Sequence, residues 1–177
     1  QKKQTDLINR AQMDSMTNIL NKSSIQYQIN DWLQHGEKEG IQALLMLDLD
    51  QFKNINDTYG HALGDEVIKA AAKVLKDTFR SSDIVGRAGG DEFMVLMKNV
   101  RWDKVIERQL QELCHKFENL KIGSIPCGAI HCSIGAAYYP DHGMNFDELY
   151  HYADEALYEA KRQGRNTYVI YHQEKKA

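Results

Sequence analysis

The stretch Ile41-Gln42-Ala43-Leu44-Leu45-Met46-Leu47-Asp48-Leu49-Asp50 decides the architecture. An alternating strand hides one face, whereas a nearly continuous apolar run needs cover on both. Ile41–Leu47 therefore reads as a central strand buried on both sides. Asp48 and Asp50 stand where that strand runs out. Ligands gather beyond the carboxyl ends of strands in open α/β sheets, so a site is expected there.

Upstream, Ile25, Ile29, Trp32 and Leu33 recur at helical spacing, and Gly36 and Gly40 close that helix. Asp14–Asn18 is turn-rich. Residues 1–13 are polar and helix-permissive, and are expected to form a helical connector from an upstream module, leaving 14–177 as one domain. Downstream, residues 51–64 are polar and glycine-punctuated. A helix opened by Asp65 then carries Ile68, Ala71, Ala72, Leu75 and Phe79 on one face. A strand at Ile84–Arg87 meets Gly89-Gly90, with Phe93–Met97 as its hairpin partner. Ile106, Leu110, Leu113 and Phe117 mark a helix, and Ala129–Tyr139 a strand. Asn145-Phe146-Asp147-Glu148 has the form of a capping box, opening a helix that ends near Lys161, Arg162 and Gly164. Thr167–Tyr171 is the last strand. The order is β-α-β-β-α-β with an added N-terminal helix and a C-terminal αβ. It predicts an α+β fold: a ferredoxin-like antiparallel sheet with helices on one face.

The 177 residues carry 22 Lys+Arg against 25 Asp+Glu, a formal net charge of -3. A protein that coats duplex nucleic acid needs a positive footprint, so nucleic acid is not an expected partner. No apolar run approaches the ~20 residues that span a bilayer, so no membrane contact is expected of this segment. Cys114, Cys127 and Cys132 show no CxxC spacing and the seven histidines no HExxH. That pattern fits reduced thiols in a cytoplasmic protein and no transition-metal centre. The chain does not open on Met and is expected to be a piece of a longer protein.

The chemistry lies in the acids. Asp48 and Asp50 with a nearby main-chain carbonyl form an all-oxygen set suited to Mg²⁺. Taken alone, Asp-x-Asp is more often a solvated acidic loop. Gly89-Gly90-Asp91-Glu92-Phe93 adds two carboxylates at a glycine turn between two strands, where a phosphate can approach the backbone. Acids on two adjacent strand ends are the layout of a two-metal phosphoryl-transfer site, as in nucleotidyl cyclases and polymerase palms.

At these residues the chain resembles the GGDEF family, the diguanylate cyclases. The signature stands at 89–93. Asp48-Leu49-Asp50-Gln51-Phe52-Lys53-Asn54-Ile55-Asn56-Asp57 is similar to the family's DxDxFKxxND segment. Gly60-His61-Ala62-Leu63-Gly64-Asp65 is similar to GHxxGD. Ala153-Asp154-Glu155-Ala156-Leu157-Tyr158 with Ala160-Lys161-Arg162-Gln163-Gly164-Arg165-Asn166 is similar to its closing motif, and Asp14–Lys22 to its opening one. Lys22 stands where the family usually has Arg, and Asn18 where Gly is common. Five motifs in order, over about residues 14–170, are far more specific than one pentapeptide.

The resemblance implies condensation of two GTP into cyclic di-GMP with release of pyrophosphate. It implies Mg²⁺ or Mn²⁺ held by Asp48, the Leu49 carbonyl and Asp91, with Asp48, Asp91 and Glu92 as the catalytic acids. Asn56 and Asp65 match the guanine readers. Phe52, Lys53, Lys161 and Arg165 fall in the substrate-binding positions, the cations facing phosphate. Without the resemblance, Asp65 reads as a helix N-cap and Lys161 as a cation at a helix C-terminus. Arg80 and Asp83 are similar to the family's RxxD site, where product binds and inhibits. Arg101 and Arg108 are candidates for a second arginine there. One site holds one GTP, so turnover implies a homodimer, with an upstream sensory domain setting its geometry. The alternatives are a non-catalytic cyclic di-GMP receptor and a ferredoxin-like RNA-binding module. The acidic balance and the missing aromatic pattern on Phe93–Met97 argue against the last.

Overall fold

The computed structural model describes residues 4, 7, 8 and 11–172. The expected connector at 1–13 lies largely outside them, though Gln4, Leu7, Ile8, Ala11 and Gln12 carry helical backbone.

The apolar run forms β1, Ile41–Leu49, which is buried from Gln42 onward. It pairs antiparallel with β3, Glu92–Val100, on one side and β4, Cys132–Tyr139, on the other. The hairpin partner β2, Ile84–Arg87, lies outside β3, and β5, Tyr168–Ile170, runs parallel to β4. The sheet order is β2-β3-β1-β4-β5. The first four strands have the ferredoxin-like arrangement that the element order implies.

Alternate residues of β1 face different cores. Ala43, Leu45, Leu47 and Leu49 pack with helices α3, His61–Thr78, and α4, Asp103–Glu118. Leu44 and Met46 pack with α1, Lys22–His35, and α5, Phe146–Arg162. Helices therefore cover both faces of the sheet, not one. The ferredoxin-like core supplies α3 and α4, and the two added helices α1 and α5 close the second face. A strand buried on both sides requires this.

Residues 51–64 differ from their sequence reading. They fold into α2, Phe52–Tyr59, and the first turn of α3. Ile55 is buried under α2 and Gly60 caps both helices with φ 90°, a left-handed value that glycine adopts without strain. Asp65 accordingly sits one turn inside α3, not at its N-cap. The box at Asn145 is present: Asn145 accepts the Glu148 N–H at 2.9 Å, and Glu148 accepts from Met144 N at 3.1 Å. Asn18 has φ 55°, a conformation that Gly and Asn visit most readily, which explains either residue at that turn.

Gly135 is where β4 meets α5. A Cβ there would lie 2.1 Å from the Ala153 carbonyl oxygen and 2.2 Å from Leu157 N, both backbone atoms that cannot swing aside. Gly135→Ala should therefore cost at least about 3 kcal/mol and lower Tm by roughly 6–12 °C. Thermal unfolding followed by circular dichroism measures this; an unchanged Tm would mean that the helix and strand do not touch.

Candidate active site

β1 delivers Asp48 into the sheet with 7% of its surface exposed. Its register partner on β3 is Glu92, and Leu49 N–H donates to the Asp91 carbonyl at 3.2 Å. The two acidic segments are thus neighbours because two antiparallel strands are in register, although positions 48 and 91 are 43 apart in sequence. The Lys161 ammonium, in the last turn of α5, is hydrogen-bonded to Asp48 Oδ2. Asp48 Oδ1 is buried and has no partner.

Burial pushes the Asp48 carboxyl up. Lys161 opposes this, while Glu92 and Asp91 add to it, and the net direction is upward. Burial pulls the Lys161 ammonium down, but Asp48, Glu92 and Asp91 outweigh it and hold its pKa above the usual range. The cluster is one of excess negative charge around one cation.

Among the described residues no three His, Cys, Asp or Glu side chains converge as a ready-made metal cage. Glu92 turns back over its own hairpin, with Oε2 3.3 Å from where a Cβ on Gly89 would stand. Two carboxylates and a main-chain oxygen nevertheless fit a hard divalent cation, which completes its shell with water and phosphate oxygens. The orphaned Asp48 Oδ1 is the observation that supports the fit, because a buried anionic oxygen without a donor is costly. Asp50 is different. Its oxygens accept from Ser133 Oγ at 2.6 Å and Asn166 N at 2.8 Å, so it braces β1 against β4 and the turn after α5.

The glycine turn has an anchor that the sequence reading missed. Arg87 donates to the Gly89 carbonyl at 3.1 Å and to the Gly90 carbonyl at 3.0 and 2.7 Å. It also holds both oxygens of Asp14 at 3.3 Å. Neither glycine has a left-handed φ, and a Cβ on Gly90 would meet nothing within 4 Å. The turn itself does not demand glycine at 90; open space above its backbone is what the residue preserves. The signal for Arg87 was an arginine two residues before a glycine pair, which carries no meaning until the turn is built.

The other expected substrate residues lie on α2 and α3. Asn56 is half-buried beside Gly64, where a Cβ would come 1.8 Å from Asn56 Oδ1 and 3.4 Å from the Phe52 ring. Gly64 thus seats Asn56 and Phe52 next to Asp65, which is exposed. Lys53 is exposed on α2. Arg165 follows α5 in a left-handed turn, φ 65°, and lines a 310 Å³ cavity with Gln51, Asn54 and His131.

Arg80 and Asp83 form a second constellation. The Asp83 side chain is 2% exposed and accepts from Arg80 N at 3.0 Å and Lys98 N at 2.9 Å. Its carboxylate is committed to its own turn and to β3. The Arg80 guanidinium is 58% exposed, pairs with Asp83 at 3.3 Å and also reaches the Lys98 carbonyl. Arg101 lines the same cleft as Arg80 and Asp83; Arg108 is not among the residues lining it.

The family model "Diguanylate cyclase, GGDEF domain" matches residues 11–167. The chain is 36% identical over 157 residues to diguanylate cyclase DosC of Escherichia coli, covering 87% of this chain and 34% of that protein. It is 38% identical over 141 residues to diguanylate cyclase A of Treponema denticola, covering 76% and 36%. The chain therefore spans about a third of the curated relatives it matches. Its fold is similar to the coiled coil and GGDEF domain of DgcB from Caulobacter crescentus, solved with c-di-GMP. The TM-score is 0.84 at 28% identity, covering 96% of this chain and 90% of that one. No helix among the described residues is long and apolar enough to cross a membrane.

The Asp14–Arg87 pair can be tested by pH. Burial pushes the Asp14 carboxyl up, but the Thr17 hydroxyl and N–H and the Arg87 charge outweigh it and hold it below 3.8. A lowered carboxylate contributes stability above its unfolded value and loses it as pH falls through the folded one. Asp14→Asn should thus cost about 1–2 kcal/mol at pH 7, with the gap to the wild type closing below pH 3.8. Urea unfolding across that range measures it; a gap that persists undiminished in acid would refute the ionic reading.

Proposed function

The chain belongs to the GGDEF family of diguanylate cyclases, and from that membership we infer that it joins two GTP into cyclic di-GMP, releasing two pyrophosphates. The observation that carries the reading is the pair of acids on adjacent strand ends, with one buried carboxylate oxygen left unpartnered and a lysine on the other.

Asp48, the Leu49 carbonyl and Asp91 would hold Mg²⁺ or Mn²⁺. A bound ion there neutralises α-phosphate charge and lowers the pKa of the attacking 3′-hydroxyl. Lys161 is already drawn to this anionic cluster and offers its remaining donors to a phosphate oxygen. Lys53 and Arg165 add cationic contacts. Glu92 keeps its carboxylate on the exposed side of the hairpin, as the candidate acceptor of the 3′-hydroxyl proton. Asn56 and Asp65 suit guanine, whose N1–H and N2–H₂ donate together to a carboxylate; adenine has no N1–H and leaves such a site unpaired. Phe52 lies beside Gly64, where a Cβ would stand 3.4 Å from its ring, and is the candidate support for the base.

Each domain presents one such site, so two must meet with each 3′-hydroxyl aimed at the other's α-phosphate. The homodimer follows from the chemistry of the product. Residues 1–13 are the segment through which an upstream sensory domain would set that encounter. Arg80, with Arg101 across the same cleft, is the candidate product-inhibition site. Asp83 orients Arg80 there, because its own carboxylate is already occupied.

The reading predicts that GTP with Mg²⁺ gives cyclic di-GMP by mass spectrometry, and that Asp91→Ala lowers turnover at least ~100-fold. ATP should be a poor substrate for the wild type. Loss of all dinucleotide product, with cyclic di-GMP binding retained through Arg80, would favour a receptor over an enzyme. Separately, Arg80→Ala should keep the initial rate and weaken inhibition by added product ~10-fold or more. Inhibition unchanged in that variant would remove Arg80 from the product site.

A further inference from the structure

The chain leaves α5 through three successive residues on the left-handed side of the backbone map: Gly164 at φ 108°, Arg165 at φ 65° and Asn166 at φ 48°. Glycine takes such values freely and asparagine tolerates them, but for arginine the conformation is costly. A residue of that kind stays there only where its surroundings over-determine it. The turn stands at the exit of β1. Arg165 lines the 310 Å³ cavity whose walls include Asp50 and Gln51, the residues directly after Leu49.

Contacts from three elements hold this turn. Arg165 N–H donates to the Ala160 carbonyl of α5 at 3.2 Å. Asn166 N–H donates to Asp50 Oδ2 at 2.8 Å, and Asp50 Oδ1 is fixed in turn by the Ser133 hydroxyl at 2.6 Å. The Asn166 side-chain amide donates to Glu118 Oε1, on the last residue of α4. Glu118 is itself tied down, since its carbonyl accepts Gly128 N–H at 2.7 Å. Asp50 is buried with both oxygens spent inside the fold. An acid next to the candidate metal-binding carbonyl therefore serves a turn. What the turn presents is the Arg165 guanidinium. Arg162, three residues earlier, pairs with Glu159 at 3.3 Å; Arg165 is exposed and has no acidic partner among the described residues.

We propose that Asp50 and Glu118 are positioning residues: acting through Asn166, they lock the turn 164–166 so that Arg165 meets the GTP triphosphate on a backbone that is already fixed. The inference rests on the nucleotide-binding part of the proposed function. It adds a route by which a carboxylate at the end of α4 sets the affinity for a nucleotide at the end of β1. The gain is entropic. An arginine on a slack turn must be ordered when phosphate arrives, whereas here the ordering is completed in folding. The sign of the effect separates this role from simple electrostatics. A carboxylate near a triphosphate repels it, so deleting the charge alone would tighten binding. Deleting an anchor of the turn weakens it.

The experiment titrates the whole chain by calorimetry with the Mg²⁺ complex of α,β-methylene GTP, whose α–β bridge cannot be cleaved, and follows GTP turnover in parallel. Arg165→Ala should weaken analogue binding ~10-fold. Glu118→Ala should weaken it ~5-fold and raise the KM for GTP more than it lowers kcat. Glu118→Gln keeps the acceptor oxygen and should recover most of that loss. In an Arg165→Ala background, Glu118→Ala should add less than ~2-fold, because both changes act through one guanidinium. Asp50→Ala should follow Glu118→Ala; thermal melts check that each variant folds, and the Glu118 series decides the matter if Asp50→Ala does not. A wild-type chain that binds the analogue yet forms no cyclic di-GMP sinks the cyclase reading, while the binding cycle still tests the positioning. The proposal is overturned by a wild type that does not bind the analogue, or by Arg165→Ala binding as the wild type does. Unchanged or tighter binding in Glu118→Ala, or a Glu118→Ala loss undiminished in the Arg165→Ala background, overturns it equally.

Discussion

A carboxylate at the end of a strand buried on both faces is a standing electrostatic debt, and Asp48 carries it. The strand must be buried because it is apolar along nearly all of its length, so the carboxylate near its end is largely withdrawn from water. One oxygen is answered by Lys161 from the far end of α5; the other is not answered. Desolvation and the neighbouring acids both favour a proton on Asp48, and Lys161 opposes them without reversing the direction. Such a group is poised for a cation or for a ligand bringing one. A core of this kind would otherwise have put a hydrophobic side chain at this position.

The surroundings are built to keep that arrangement fixed while leaving its mouth open. Asp50, two residues on, is tied by Ser133 and Asn166, so the strand end cannot drift. Arg87 grips the carbonyls of the glycine turn from one side and Asp14 from the other, so the N-terminal turn and the site share one guanidinium. Gly64 makes room for Asn56, and Gly90 leaves room for something outside the chain. The opposite end of the sheet is built differently. Buried Gln42 is satisfied by Trp32 and Asn99, and Asn99 takes the left-handed φ of 52° that lets its amide close the network. That polar group is paired within the fold; Asp48 Oδ1 and the Tyr138 hydroxyl are not.

Much of the fold was legible because hydrophobic period and length are strong local signals. The central strand, the hairpin around Gly89 and the capped helix at Asn145 all follow from short stretches of sequence. Residues 51–64 were less legible: α2 buries Ile55 and packs Phe52 and Tyr59 against the core, too few apolar positions to announce a helix. Asp65 looked like an N-cap for the same reason, since the turn before it carries little hydrophobic pattern. The second helical layer was implied by the doubly apolar strand, yet a helix-on-one-face expectation ignored it.

The sequence by itself determined the element order, the acids at two strand ends and the family to which those motifs belong, because each is written in contiguous residues. Tertiary structure alone decided which charges share a space. That Lys161 meets Asp48 rather than merely ending a helix, that Asp83 spends its carboxylate on Lys98 and Arg80, and that Arg87 bridges Asp14 to Gly90 depend on strand register and helix packing. Electrostatic and hydrogen-bond partnerships act over a few ångströms of space, and the chain sets those distances only once its apolar faces have chosen their neighbours.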